Sequence, residues 1–262
     1  MSWRWLNASI AGTSHADGGI PCQDDCLVDV ISGTSGEVLI AITSDGAGSA
    51  AHAEDGSALA CESLYRAVAD WAATGGPIDD LTREKVEAWI LCLRTAIEQR
   101  ANETDASVRD FACTLVAAIV SEHVAAFLQI GDGAIVVGKD DVCEVVFWPD
   151  TGEYANMTFF TTDDDWQKHV LFEIRNAQFD DIALMTDGLQ RLALHYDSRT
   201  PHVPFFAPMF GALQKAAAGF AVDFEPALVS FLGSAAVNER TDDDKTLVLA
   251  TRRAAEEAHG DR

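Results

Sequence analysis

The sequence predicts an α+β fold in which antiparallel sheets carry helices on their outer faces. Three observations predict it. Strand-like segments come in blocks instead of alternating one by one with helices, so the repeat that builds a parallel sheet is missing. Four short β-rich runs between positions 111 and 147 follow one another with only turn residues between them, a spacing that implies antiparallel pairing. No internal repeat or low-complexity linker divides the 262 residues. One domain over residues 1–252, with a polar tail at 253–262, is the simplest organisation.

The elements follow in order. Residues 27–32 alternate, meet Gly33, Ser35 and Gly36, and are succeeded by the continuous apolar run 38–43, a hairpin whose second strand is buried and ends at Ser44, Asp45 and Gly46. Residues 50–73 are rich in alanine, carry Leu59, Leu64, Ala67 and Trp71 near helical spacing, and stop at Gly75, Gly76 and Pro77. A second helix over 81–101 aligns Val86, Trp89, Ile90, Leu93 and Ile97 on one face. Runs 111–120, 124–130, 134–137, 142–147 and 182–186 read as strands, 207–220 and 226–237 as helices, and 246–250 as the last strand.

Composition narrows the function. Asp and Glu total 42 against 18 Lys and Arg, a net charge of −24 that repels nucleic acid and anionic membrane surfaces. No run of about 18 apolar residues could span a bilayer, and the N-terminus lacks a basic region followed by an apolar one. The expectation is a cytoplasmic, monomeric protein. Of the six cysteines only Cys22 and Cys26 are close, which is too few donors for a zinc site, and reduced thiols are expected.

The candidate chemistry lies in aspartates at strand ends. Asp45 follows one buried strand and precedes Gly46; Asp187 follows another and precedes Gly188; Asp243 stands in an Asp triplet just before the last strand. A strand end holds a carboxylate on a rigid base, and a following glycine admits a ligand close to the backbone. Carboxylates converging without basic partners need a cation, and hard oxygen donors suit Mg²⁺ or Mn²⁺. An Asp-Gly pair alone is an ordinary turn; three Asp-containing elements, each beside an apolar strand, are harder to dismiss.

The ordered set Gln23-Asp24, Asp45-Gly46, Gly131-Asp132-Gly133, Asp187-Gly188 and Asp243-Asp244 resembles the PP2C protein phosphatases, and the stretch from Gly12 and His15 to Pro21, Cys22 and Gln23 resembles a bacterial branch of them. The resemblance runs from about Gly12 to Ala250. It implies an αββα four-layer sandwich, two antiparallel sheets face to face with a helix pair outside each. It also implies two Mn²⁺ or Mg²⁺ ions, with Asp45 bridging them, the Gly46 carbonyl on one, Asp187 and Asp243 on the other, and Asp24 reaching them through water. A third ion is a further possibility, with Asp150 as its candidate ligand. The implied activity is hydrolysis of phosphoserine and phosphothreonine in protein substrates by a water activated between the two ions.

Three departures stand out. The family's His after the first Asp-Gly is Ala47; its phosphate-gripping Arg is missing, with no Arg between Arg4 and Arg66; and Gln23 stands where Glu is common. His15 is the candidate to take over a catalytic role, while Gly131-Asp132-Gly133 reads as a structural turn and residues 163–165 as a solvated loop. The alternative is a pseudophosphatase that binds phosphoproteins without turnover. A phosphohydrolase with an aspartyl nucleophile would need a second Asp where Ala47 stands.

Overall fold

The structure is a computed structural model that describes residues 1–33, 36–140, 142–149 and 158–253. Strands β1 (Ser2–Ile10), β2 (Asp25–Gly33) and β3 (Gly36–Ser44) come first, with the short helix α1 (Thr13–Gly18) after β1. Helices α2 (Ala53–Ala73) and α3 (Arg83–Thr104) follow, then strands β4 (Leu115–Val120), β5 (Ala125–Ile130), β6 (Ala134–Lys139), β7 (Val142–Val145), β8 (Leu171–Arg175) and β9 (Asp181–Met185). The C-terminal part comprises α4 (Gln190–Ala193), β10 (Leu194–His195), β11 (Thr200–Pro201), α5 (Val203–Leu213), β12 (Gly219–Phe220), α6 (Glu225–Leu232), α7 (Ala235–Asn238) and β13 (Lys245–Arg253).

Two sheets form the centre, ordered β12-β1-β13-β9-β6-β7 and β2-β3-β4-β5-β8. All pairings are antiparallel except the two-residue contact of β12 with β1. The period of two along each strand sorts its side chains into layers. On β3, Leu39 and Ala41 join Ile182, Leu184, Val248 and Ala250 in the core between the sheets, while Ile40 and Ile42 face α2 and α3. On β13, Leu247 and Leu249 pack against α5 and α6. Both faces of these strands are therefore covered, which is why 38–43 is apolar without alternation. The four-layer αββα sandwich of the resemblance is the observed architecture.

Helix α3 buries Val86, Trp89, Ile90, Leu93 and Ile97, the face read from its period, and is capped at its start by Thr82, whose hydroxyl accepts from Lys85 N at 3.2 Å. Helix α2 buries small residues, Ala53, Gly56, Ser57, Ala60 and Cys61, besides Leu64 and Val68. Its closeness to the chain before β4 explains this: a Cβ at Gly56 would stand 2.4 Å from the Phe111 carbonyl oxygen.

The sequence did not predict β1 and β8. Strand β1 pairs with β13 along its whole length and buries Trp3 between the sheets, with Leu6 and Ala8 on the helix side. The helix expected at 207–220 lies earlier, at Val203–Leu213, and the one expected at 226–237 breaks at Gly233 and Ser234 into α6 and α7. Strand β13 extends to Arg253, whose guanidinium binds Asp181, so pairing reaches one residue into the segment assigned to the tail; residues 254–262 lie outside the described residues.

Candidate active site

One end of the sandwich gathers the strand-end aspartates. Asp45 leaves β3, Asp187 leaves β9, and Asp243 and Asp244 enter β13, which pairs with β9 in the register Leu247 to Met185. Around Asp45 the backbone is pinned to the segment before β4: Thr114 N donates to Asp45 O at 2.8 Å, and Asp45 N to Thr114 Oγ1 at 2.9 Å. Asp45, Gly46, Asp187 and Asp243 line one cleft of about 440 Å³, together with His15, Ala47, Asp132 and Asp244. The glycines beside the acids serve close approach. A Cβ at Gly46 would meet the Ala53 carbonyl oxygen at 2.5 Å, and one at Gly188 the Asp244 carbonyl oxygen at 2.0 Å.

The electrostatics are those of a cation site. Burial, then the charges of Asp24, Asp187 and Asp243, holds the Asp45 carboxyl well above its ordinary range. Burial, then Asp132 and Asp243, pushes Asp187 up to about 6. Asp243 is raised by burial and by its neighbour Asp244. Among the described residues no Lys or Arg pairs with any of these carboxylates. Buried Asp187 Oδ1 and Asp24 Oδ1 have no hydrogen-bond partner at all. Desolvated, mutually repelling carboxylates with spare oxygens fit a hard divalent cation. Among the described residues no three His, Cys, Asp or Glu side chains stand ready as a metal cluster.

Asp24 takes a different position from the other acids. It is buried, and its Oδ2 accepts from Thr186 Oγ1 at 2.7 Å and Thr246 Oγ1 at 2.9 Å. It therefore stands behind the cleft and ties the end of β9 to the start of β13. Burial pushes it up to about 7, against the two hydroxyl donors. Gln23 acts mainly through its backbone: its N–H donates to Asp244 Oδ2 at 2.6 Å and its carbonyl accepts from Gly46 N at 3.1 Å.

His15 does reach the cleft. Its Nδ1 lies 2.9 Å from Asp244 Oδ1, across 229 positions of sequence. Asp244 Oδ1 also accepts from Gly12 N at 2.6 Å. Ala47, at the position of the family's His, is packed against Ala50, Ala53, Ala112 and Phe160.

Two acids were missed. Asp132, read as part of a structural turn, lines the cleft, accepts from Thr158 and is the main charge acting on Asp187. Asp244, quoted in the family motif but given no role of its own, holds His15 and Gln23. The Asp-Gly signature around Asp132 was available in the sequence; the partners of Asp244 were not. Residues 163–165 serve a turn, where Asp163 Oδ2 accepts from Phe160 N at 2.8 Å. Asp150 lies outside the described residues. No helix among the described residues is long and apolar enough to cross a membrane.

Comparison with known proteins identifies the family. The family profile of protein phosphatase 2C matches residues 11–233. Serine/threonine-protein phosphatase 3 of Escherichia coli K12 is 39% identical over 252 residues, covering 95% of this chain and 98% of the relative. PppA of Pseudomonas aeruginosa superposes with a TM-score of 0.60 at 18% identity, over 96% of this chain and 98% of its own. Stp1 of Staphylococcus aureus does so with 0.56 at 15% identity, over 95% of each chain. The two structures share the sandwich; the family profile and the E. coli relative carry the assignment. The chain belongs to the protein phosphatase 2C family, whose phosphatases are metal-dependent.

Proposed function

We propose that this phosphatase hydrolyses phosphoserine and phosphothreonine in proteins with two Mn²⁺ or Mg²⁺ ions held by Asp45, the Gly46 carbonyl, Asp187 and Asp243. The observation that carries the reading is the group of carboxylates at one end of the sandwich, Asp24 buried and Asp45 and Asp187 half-buried, two of them with a buried unpartnered oxygen and none with a basic partner among the described residues. Bound divalent cations supply charge neutralisation of the phosphoryl group and acidify a water that can attack it.

The chain's own residues do the rest. Asp45 and Asp187 would serve as ligands in their carboxylate forms, and Asp24 offers its free Oδ1 from behind. Asp244 accepts the Nδ1 proton of His15 and so orients the ring, which leaves Nε2 as the atom that can give a proton to the departing seryl or threonyl oxygen. That role replaces the family's His at the Ala47 position. Retention of the whole carboxylate set gives a non-catalytic phosphoprotein binder no particular support.

The test is turnover of p-nitrophenyl phosphate and of a phosphothreonine peptide in Mn²⁺ and in Mg²⁺, each with and without EDTA. Metal-dependent turnover of the peptide is expected. No peptide turnover with either ion, by a folded protein, would overturn the reading.

A further inference from the structure

The cleft of a chain with net charge −24 has a basic edge. Next to the carboxylates, a second cavity of about 430 Å³ is lined by Asp132, Asp187 and Asp243 and also by Arg191 and Arg240. The same two arginines also line a third cavity, of about 660 Å³, with Phe205, Met209 and Phe231. A peptide leaving the carboxylate cleft on this side must pass the two guanidinium groups.

Most arginines among the described residues have side-chain partners; Arg109, Arg191, Arg199 and Arg240 do not, and of these four Arg191 and Arg240 line the cavity beside the carboxylates. Arg66, Arg83, Arg100, Arg175 and Arg253 are paired with carboxylates, and Arg4, Arg94 and Arg252 bind backbone carbonyls. Arg191 and Arg240 are exposed and make no side-chain hydrogen bond or ion pair among the described residues, although Asp242 lines the same cavity and acids outnumber bases by 42 to 18. Neither lines the cleft compartment that holds Asp45 and His15. A free guanidinium fork presents donors in the geometry that a carboxylate accepts.

We propose that Arg191 and Arg240 select substrates with an Asp or Glu next to the phosphorylated residue, by binding that side-chain carboxylate at the mouth of the cleft. The inference rests on the phosphoprotein reading above. It explains how so acidic a protein can accept an acidic substrate: the flanking charge meets a local cationic pair while the bulk of the surface repels it.

The test separates binding from turnover. Peptides carrying a non-hydrolysable phosphonate analogue of phosphoserine are made with Asp, Ala, Lys or phosphoserine in the flanking positions, on the N-terminal or the C-terminal side. Their affinity for the Mn²⁺-loaded protein is read by fluorescence anisotropy. An Asp flank on one side is expected to bind roughly 5- to 20-fold more tightly than Ala and to lose that advantage with salt, as exposed charge pairs do. The charge reversal R191E together with R240E is expected to turn the preference towards Lys, a gain that misfolding cannot produce. Equal affinity for Asp and Ala flanks on both sides, or an Asp preference that survives the double reversal, would overturn the inference. A preference for phosphoserine without one for Asp would also overturn it, because the site would then read a second phosphate. Turnover of the matching phosphopeptides without any flank preference sinks this inference alone. A flank preference without turnover sinks the catalytic reading and leaves the docking surface standing.

Discussion

Strand β9 carries an aspartate at each end, and the two have opposite surroundings. Asp181, at its start, accepts from Arg253 Nη2 at both carboxylate oxygens, at 2.9 and 3.0 Å, and from the Thr251 hydroxyl at 2.6 Å. Asp187, one residue past Thr186 at the other end, has no Lys or Arg partner among the described residues, a buried oxygen without a hydrogen-bond partner and a carboxyl pushed up to about 6. The same side chain on the same strand is a structural pair in one place and an unmet demand for positive charge in the other. A fold has no reason to keep such a demand except to bind something that meets it.

The comparison breaks most readily by substitution. Asp45→Asn and Asp187→Asn should each lower phosphatase activity at least about 1,000-fold, beyond the 10–100-fold that loss of a ligand's supporting contact costs. Their melting temperature in EDTA should stay level or rise, because a repelling carboxyl is gone. Asp181→Asn should do the reverse: activity kept, stability lowered by about 1–3 kcal/mol as Arg253 loses its partner. If Asp181→Asn impairs turnover of p-nitrophenyl phosphate as severely as Asp187→Asn, the two ends do not differ as described.

His15→Ala sharpens the contrast on the catalytic side. An alkyl leaving group needs protonation and p-nitrophenolate does not, so the phosphoserine peptide should lose about 100-fold while the aryl ester changes little, at the lower end of what general acid catalysis supplies. Ala47→His should not restore the peptide rate, since Ala47 is enclosed by Ala50, Ala53, Ala112 and Phe160. Equal losses on both substrates would remove His15 from proton donation.

Metal and pH separate the ends next. In the metal-free protein the raised carboxyls keep protons that the unfolded chain releases near its ordinary value of 3.8. Their contribution to stability is therefore complete below that pH and is lost as pH rises through about 6 for Asp187 and about 7 for Asp24. Bound Mn²⁺ requires those protons to leave, so its stabilising effect should grow across the same window. At 100 times its dissociation constant it should reach about 2.7 kcal/mol, or several degrees in melting temperature. A Mn²⁺ shift that is the same at pH 5 and pH 8 would contradict the coupling.

The smallest effect concerns the threonines behind the site. Thr246→Val removes one hydroxyl donor from Asp24 and should cost about 1 kcal/mol of stability. It should also move the pH midpoint of Mn²⁺ binding upward, because the carboxylate form of Asp24 loses a donor. A midpoint that stays put would make Asp24 a structural tie with no part in metal binding.

Local patterns carried much of this protein. The unbroken apolar runs before Asp45 and Asp187 announced strands covered on both faces, and the period of 81–101 announced the buried face of α3, because side-chain direction follows directly from backbone repeat. The order of the acidic motifs identified the family and with it the sandwich. Strand β1 escaped notice because its residues serve two different layers, Trp3 inward and Leu6 outward, beside the buried Arg4. The tertiary structure alone decided that Asp132 faces the cleft, that Asp24 stands behind it, that Asp244 orients His15, and that Arg191 and Arg240 edge the site. These are contacts between groups far apart in the chain. Nothing in the local pattern around His15 encodes a partner 229 positions away; only the pairing of β1 with β13 brings the segments after one and before the other together.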